Sequence, residues 1–197
     1  MCRPDDVINL ALGEIGYREK KTNANLDQKT AANDGSGNYT KFGKIVDSYP
    51  DFYNGKKQGY AWCDVFFDAL FLLTYGYEKT LYLLCQPIKS LGAGCTYSAT
   101  YYKNAGRFDG IARKGSQIFF TKNKTTSNHT GLVVDVIGNY VLVVEGNKND
   151  RVELNCYDAK DSSIFGYGHP RYDEEESEIL TLNCKRSVSK IEITIKE

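Results

Sequence analysis

The sequence predicts an α+β domain in which N-terminal helices pack on a C-terminal antiparallel β-sheet. In the first half of the chain, apolar residues recur at the spacing of a helix. After about residue 104 they alternate with polar residues, as in half-buried strands, and glycine, asparagine and aspartate separate the alternating segments. The chain has 197 residues, of which 41% are hydrophobic, so it is long enough to bury one sizeable core.

The first half contains four predicted helices and a shorter helical patch. The first helix follows Pro4 and two acidic residues and ends at Gly16, so it carries both a start and a stop signal. The others are indicated by the spacing of their apolar residues and span residues 42–49, 62–76, 78–85 and 97–104. Residues 18–38 are rich in asparagine, threonine, lysine and glycine and predict a long loop.

The second half contains five predicted strands, at residues 116–120, 129–137, 140–145, 152–157 and 164–167. We predict that the main domain covers residues 1–172, because residues 173–178 are almost all acidic and typical of a solvated linker. Two short alternating runs follow within residues 179–197. Two strands alone are too few to be stable. They either join the main sheet or, as we favour, begin a truncated C-terminal domain.

Charge and hydropathy exclude two classes of function. Lysine and arginine number 25, as do aspartate and glutamate, so the cationic excess of a nucleic-acid-binding protein is missing. The longest apolar stretch, residues 65–73, is interrupted by Asp68 and falls far short of the ~20 residues that a membrane span needs. The N-terminus lacks the pattern of a signal peptide. We therefore expect a monomer that is made in the cytosol and binds no nucleic acid.

Three segments carry candidate catalytic residues. Cys63 lies in the first turn of a predicted helix, where unpaired backbone N–H groups and the helix dipole stabilise a thiolate. His129 opens a predicted strand, and Glu145 ends the next one. Each also has an ordinary structural interpretation: a buried thiol, an exposed loop histidine, and a carboxylate that needs a partner. The chain has 6 cysteines at irregular spacings, so we expect mostly free thiols and no zinc finger.

The register between the strand that His129 opens and the strand that Glu145 ends decides whether these two side chains can meet. A two-residue turn at Gly138 and Asn139 would place His129 and Glu145 on opposite faces of the sheet. An odd-length loop or a bulge reverses this parity and places His129 opposite Asn147 and diagonal to Glu145. The other face is then almost wholly apolar and carries Thr130, Leu132, Val134, Val136, Tyr140, Leu142 and Val144. Because burial favours this arrangement, we predict an odd-length loop or a bulge.

Three motifs occur in a fixed order along the chain. They are Tyr60-Ala61-Trp62-Cys63 at a helix start, His129-Thr130-Gly131-Leu132-Val133 opening a strand, and Glu145-Gly146-Asn147 ending the next strand. Together they resemble the CHAP domain, a cysteine, histidine-dependent amidohydrolase/peptidase, over about residues 5–172. The resemblance implies a papain-like fold that hydrolyses amide bonds in bacterial peptidoglycan, often within a phage endolysin that has a separate wall-binding domain.

The resemblance also implies a role for each matching residue. Cys63 would attack the scissile carbonyl, and His129 would take its proton and later protonate the leaving amine. Glu145 would hold the imidazole in one tautomer, and Asn147 would help to orient it. The oxyanion would be held by the backbone N–H of Cys63 and a second donor.

Residues just before the nucleophile are candidates for substrate binding. Gln58 is a candidate for the second oxyanion donor, although an ordinary loop glutamine explains it equally well. Tyr60 and Trp62 are candidates for one wall of the substrate groove, or else they pack in the core beneath the helix.

The proposed chemistry requires no metal or other cofactor. Some CHAP relatives bind calcium in the loop before the nucleophile, and Asp27, Asp34 and Asn38 lie in an oxygen-rich loop of this chain. Their spacing does not reproduce an EF-hand, and solvation of a long loop explains them as well as calcium does.

Two functions from different classes remain open on the sequence. One is a peptidoglycan amidase or endopeptidase, as in a phage endolysin released to the wall by a holin, or in a toxin or conjugation-associated hydrolase. The other is a non-catalytic wall-binding module on the same fold, which would bind the wall without cleaving it. The intact set of thiol, imidazole and carboxylate favours the enzyme.

Overall fold

In the computed structural model, which describes residues 2–172, five helices precede a six-stranded antiparallel sheet. The helices are α1 (Pro4–Gly13), α2 (Lys41–Asp47), α3 (Cys63–Tyr75), α4 (Tyr77–Leu83) and α5 (Cys95–Asn104). The strands are β1 (Phe108–Asp109), β2 (Gln117–Phe120), β3 (His129–Ile137), β4 (Tyr140–Lys148), β5 (Arg151–Asp158) and β6 (Ile164–Gly168). The predicted α+β class is confirmed. The linker and short strands predicted at residues 173–197 lie outside the described residues.

The helices begin and end at the signals that the sequence carries. Pro4 opens α1, and the hydroxyl of Thr40 caps α2 by accepting the backbone N–H of Gly43 at 2.9 Å. Gly76 ends α3 with a φ of 77°, in the left-handed region that favours glycine. None of the helices within residues 2–172 is long and apolar enough to cross a membrane.

The helix α3 lies at the centre of the domain, between the other helices and the strands β3 and β4. Residues 63–72 are all buried, as expected for a helix that is apolar on almost every side. Two of them are aspartates. Asp64 accepts hydrogen bonds from the hydroxyl of Ser98 at 2.7 Å and from the amide of Gln117 at 2.8 Å, and Asp68 accepts one from a buried tyrosine. These bonds anchor α3 to α5 and β2.

The strands are arranged in the order β1-β6-β2-β3-β4-β5. Our prediction missed β1, because its two residues are too few to show alternation; they form a strand only by pairing with β6. One face of the sheet packs on the helices through Phe119, Leu132 and Val144. The far face carries a second apolar cluster, which consists of Ile118, Phe120, Val133, Val141, Val143 and Tyr167.

The hairpin of β3 and β4 contains a bulge, as predicted. Its turn is only two residues long, because Ile137 pairs with Tyr140. Further along the hairpin the pairing shifts between Val133 and Asp135. The extra residue in β3 reverses the parity of every pair beyond the shift.

This bulge decides which side chains share a face. Continued to the start of β3, the shifted register places His129 opposite Asn147 and diagonal to Glu145. On the turn side of the bulge, Val136 packs with the second apolar cluster on the far face. Its predicted place on the same face as Leu132 is therefore wrong.

The predicted loop at residues 18–38 has no helix and is held by a buried lysine. Lys20 is fully buried, and its ammonium donates to the carboxylate of Asp34 at 2.5 Å. It also donates to the backbone carbonyls of Arg18 at 2.7 Å and Lys29 at 3.3 Å. One side chain thus ties three parts of the loop together.

Candidate active site

Cys63 is the first residue of α3, so its thiol lies at a helix N-terminus, as predicted. The preceding residue, Trp62, fixes this end of the helix, because its indole N–H donates to Glu19 at 2.6 Å. The other oxygen of Glu19 accepts the backbone N–H groups of Gly37 at 2.8 Å and Asn38 at 2.9 Å. Trp62 is 1% exposed and packs in the core, so it does not form a wall of a groove.

The imidazole of His129 lies between the thiol and a carboxylate. Its Nε2 atom is 2.7 Å from Oε2 of Glu145, and the imidazole is one of the groups that lower the pKa of the Cys63 thiol. Because Nε2 is bonded to the carboxylate, Nδ1 is the ring nitrogen that is left to interact with the thiol. The fold thus brings together residues that are far apart in the sequence, in the order thiol, imidazole, carboxylate.

Two residues of β5 complete the surroundings of Glu145. The hydroxyl of Tyr157 donates to its Oε1 atom at 2.6 Å, and the amide of Asn155 donates to the same atom at 2.8 Å. The carboxylate itself is fully buried. Sequence reasoning missed both donors. They are alternate residues of a predicted strand, and a single turn joins that strand to the strand of Glu145. Pairing the two predicted strands would therefore have indicated both donors.

Two glycines of the motifs allow this close packing. A Cβ atom on Gly131 would lie 2.9 Å from Cγ of Glu145. The Glu145 side chain passes over Gly131 on its way to His129, so a larger residue at position 131 would displace it. A Cβ atom on Gly146 would lie 2.4 Å from Cβ of Phe66, so only glycine lets β4 approach α3 one turn after Cys63. Both glycines therefore set the distance between the thiol and the carboxylate.

Asn147 lies at the rim of the site. Its φ of 57° is left-handed, and the pairing of β4 with β5 shifts beside it. It lines a cleft of about 340 Å³ together with His129 and Tyr157. Within residues 2–172, no hydrogen bond joins Asn147 to His129; the group that orients the imidazole here is Glu145. The predicted orienting role of Asn147 is therefore not what this geometry provides.

The surroundings of Cys63 favour a thiolate. The pKa of its thiol is held well below the usual value, because hydrogen bonds from Cys95 and His129 outweigh the opposing effect of burial. The helix N-terminus acts in the same direction. Immediately behind the thiol, burial raises the pKa of Asp64 to about 7, although Ser98 donates a hydrogen bond that opposes this.

His129 and Glu145 form a charge-stabilised pair. Burial alone would lower the pKa of His129, but its hydrogen bonds with Cys63 and Glu145 outweigh burial and raise the pKa to about 9. Burial likewise opposes ionisation of Glu145, but hydrogen bonds from His129 and Tyr157 hold the pKa of this carboxyl below its usual value. At neutral pH His129 is therefore an imidazolium and Glu145 a carboxylate, and both the imidazolium and Cys95 shift Cys63 toward its thiolate.

Gln58 is engaged in the scaffold. Its amide nitrogen donates to the side chain of Asn23 and to the carbonyl of Thr40, both at 2.9 Å, and its amide oxygen accepts the N–H of Thr40 at 3.2 Å. Both amide hydrogens are therefore already donated, and the predicted oxyanion role of Gln58 is not supported by this conformation. Of the three upstream candidates only Tyr60, which is 63% exposed, is open to a ligand.

Two of the three residues considered for calcium already have partners in this loop. Asp34 accepts the buried ammonium of Lys20, so a lysine supplies the positive charge in this loop. Asn38 donates its backbone N–H to Glu19. Asp27 takes part in neither the Lys20–Asp34 ion pair nor the hydrogen bonds of Glu19. Over residues 2–172, no cluster of three or more His, Cys, Asp or Glu side chains could hold a metal ion.

A cleft of about 460 Å³ lies at the other end of β2 and is lined by a second polar cluster. His169 contacts the hydroxyl of Ser116 through Nδ1 at 2.8 Å, and the carboxylate of Asp109 through Nε2 at 2.8 Å. Arg113 also contacts this imidazole. Ser116 is 2% exposed, and the cluster ties β1, β2 and β6 together.

The comparisons with known proteins bear on the fold alone. No protein-family model and no curated protein matches this chain. A crystal structure of Ly7917 is similar, with 10% identity and a TM-score of 0.50 over 86% of this chain and 62% of that chain. A structure of Ly7917 with the hydrolyzing product of MDP has 11% identity and a TM-score of 0.48 over 86% and 63%. This chain thus spans slightly less than two thirds of Ly7917.

The site has the parts that nucleophilic catalysis requires. The thiol of Cys63, whose pKa is lowered, lies at a helix N-terminus, the imidazole of His129 interacts with it, and a buried carboxylate fixes the imidazole. The backbone N–H groups in the first turn of α3 have no acceptor within the helix, so they are the type of donor that stabilises a developing oxyanion. Such an arrangement suits acyl transfer to sulfur and then to water.

Proposed function

We propose that this chain is a peptidoglycan hydrolase of the CHAP type, which cleaves an amide bond with Cys63 as the nucleophile. The observation that carries the proposal is the contact of Cys63 with His129, whose Nε2 atom is held by the buried carboxylate of Glu145 at 2.7 Å. Peptidoglycan as the substrate class comes from the resemblance of the three motifs to CHAP domains. The likeness to Ly7917 supports the fold only.

In the first step the Cys63 thiolate attacks the amide carbonyl carbon, so that a C–S bond forms and the carbonyl electrons move to oxygen. The oxyanion is met by backbone N–H groups at the start of α3. His129 then gives its proton to the leaving nitrogen as the C–N bond breaks. In the second step the neutral imidazole takes a proton from water, which attacks the thioester, and Cys63 leaves as a thiolate. Glu145 stabilises the imidazolium before it protonates the leaving nitrogen and again after the imidazole has taken a proton from water.

Fragment analysis tests the proposed function. Purified Gram-positive peptidoglycan is incubated with the wild-type chain or with Cys63→Ala under reducing conditions, and the released fragments are identified by mass spectrometry. We expect release by the wild type and none by Cys63→Ala, because the alanine cannot form the thioester. Free lactyl groups with intact stem peptides would identify an amidase, and cut stems or cross-bridges an endopeptidase.

The controls separate catalysis from binding and from misfolding. Cys156→Ser, which changes an exposed thiol, is expected to release fragments like the wild type. Circular dichroism and a thermal melt show whether Cys63→Ala is folded. If the folded wild type sediments with the wall but releases nothing, the hydrolase is refuted in favour of the wall-binding module.

The mechanism predicts a bell-shaped dependence of kcat/KM on pH. The rate rises as Cys63 loses its proton, at a pH well below the usual thiol pKa. It falls as His129, whose pKa is about 9, loses the proton that the leaving amine needs. Initial rates of fragment release between about pH 5 and about pH 10, at constant ionic strength, check this. A rate that already falls near pH 7 would contradict the raised pKa of His129.

A further inference from the structure

Two thiols meet at the candidate site. Cys63 opens α3 and Cys95 opens α5, and their Sγ atoms lie 3.6 Å apart although 32 residues separate them in the sequence. Both side chains are almost fully buried, at 7% and 6% exposed, in the same apolar core. A disulfide needs an Sγ–Sγ distance of about 2.0 Å, so the two sulfurs would have to approach by only about 1.6 Å.

We propose that Cys63 and Cys95 form a peroxide-sensitive pair, in which oxidation converts the nucleophile into a reversible Cys63–Cys95 disulfide. The consequence for activity rests on the proposed function, because it requires Cys63 to be the nucleophile. The disulfide itself requires only the geometry of the two thiols. The pair is a site of oxidative modification inside the catalytic centre.

The chemistry needs one molecule of a hydroperoxide. With hydrogen peroxide, the Cys63 thiolate attacks one oxygen, so that an S–O bond forms and the O–O bond breaks. Hydroxide leaves and takes a proton from solvent to become water. The sulfur of Cys95 then attacks Cys63, so that an S–S bond forms and the S–O bond breaks. The second hydroxide leaves with the Cys95 proton as another water. The two sulfurs together lose two electrons, and the peroxide accepts them.

The surroundings assign a separate role to each sulfur. Cys63 is the thiolate, stabilised by its hydrogen bonds with Cys95 and His129, and is therefore the sulfur that peroxide oxidises first. Cys95 keeps its proton, because its hydrogen bond with Cys63, burial and the charge of that thiolate hold its pKa well above the usual value. Oxidation of Cys63 to the neutral sulfenic acid removes that charge. Cys95 then loses its proton more readily and becomes the attacking sulfur.

The other described thiols are placed elsewhere. Cys156 is exposed on β5, and Cys85 accepts a hydrogen bond from Arg171 at 3.2 Å. Within residues 2–172, Cys95 is the one thiol recorded in contact with Cys63. The geometry thus predicts which of the possible pairings forms.

Peptide mapping tests the proposal on the full chain. The reduced protein is treated with one equivalent of hydrogen peroxide, its remaining thiols are alkylated, and it is digested with trypsin without reduction. We expect a cross-linked pair of peptides, residues 58–79 and 90–103, each of which contains a single cysteine. The intact protein should be about 2 Da lighter before alkylation. Dithiothreitol should restore both thiols completely. Fragment release should recover in parallel with the thiols, up to its value before oxidation.

Cys95→Ser is the matched variant, because a hydroxyl replaces the thiol at nearly the same size. Without the second sulfur, excess peroxide should take Cys63 to the sulfinic acid, about 32 Da heavier, which dithiothreitol does not reverse. If that variant does not fold, the wild-type peptide map decides alone. The proposal is overturned if wild-type Cys63 is over-oxidised while Cys95 is alkylated, or if Cys63 pairs with another cysteine. The peptide map requires no substrate, so it tests the disulfide even if the chain releases no fragments. A failure of the hydrolase proposal can therefore be told apart from a failure of the disulfide proposal.

Discussion

Replacing Glu145 with glutamine is expected to lower kcat/KM for fragment release by about 10³-fold to 10⁴-fold, with the fold retained. Glutamine has nearly the same size, but it carries no charge to stabilise the imidazolium of His129. Its NH₂ group also donates a hydrogen bond where the carboxylate accepts one, which favours the imidazole tautomer with its proton on the wrong nitrogen. Tyr157 and Asn155 still find an oxygen acceptor if the amide oxygen faces them.

The pH dependence should change in the same variant. Glu145 is one of the groups that raise the pKa of His129 to about 9, so its neutral replacement should lower this pKa. The basic limb of the pH–rate profile should therefore move to lower pH. Glu153→Gln is the matched control, because it removes a carboxylate that lies opposite Glu145 on β5 but pairs with Arg151 at 2.6 Å. Wild-type rates in Glu145→Gln would remove the carboxylate from the mechanism.

Replacing Lys20 with methionine is expected to destabilise the protein by about 3 kcal/mol, as removal of one partner from a buried ion pair does. The ammonium of Lys20 is fully buried and donates to Asp34 and to the carbonyls of Arg18 and Lys29. Methionine fills most of the space of the side chain but donates no hydrogen bond. Three buried or half-buried oxygens would then lose their partner, and each loss has an unfavourable free energy.

Urea denaturation measures this effect as a lower midpoint at an unchanged slope. Lys114→Met is the matched control, because Lys114 pairs with Asp5 at 2.6 Å on the surface, where both side chains are about half exposed or more. Such a pair contributes little, so the midpoint should not move measurably. Equal midpoints for Lys20→Met and the wild type would show that the loop does not depend on the buried ammonium.

Much of the fold could be predicted because its determinants are local. The spacing of apolar residues indicated the helices and the strands β2 to β6, and start and stop residues such as Pro4 and Gly76 indicated their ends. The bulge in β3 was also predicted, because it places His129 and Glu145 on one face and leaves an almost wholly apolar face opposite them. In the structure the face of His129 and Glu145 also carries apolar residues, among them Val133 and Val143. The strand β1 was missed, since two residues carry no period.

The sequence by itself determined the elements, the parity of the hairpin and the residue types that open α3 and β3. Only the tertiary structure decided which side chains meet. Trp62 is buried while Tyr60, two residues earlier, is exposed, and nothing in their local pattern distinguishes them. The contact of Cys63 with Cys95 likewise has no signal in the sequence. The physical reason is that periodicity records which face of an element is buried, whereas partners distant in the sequence depend on how whole elements pack.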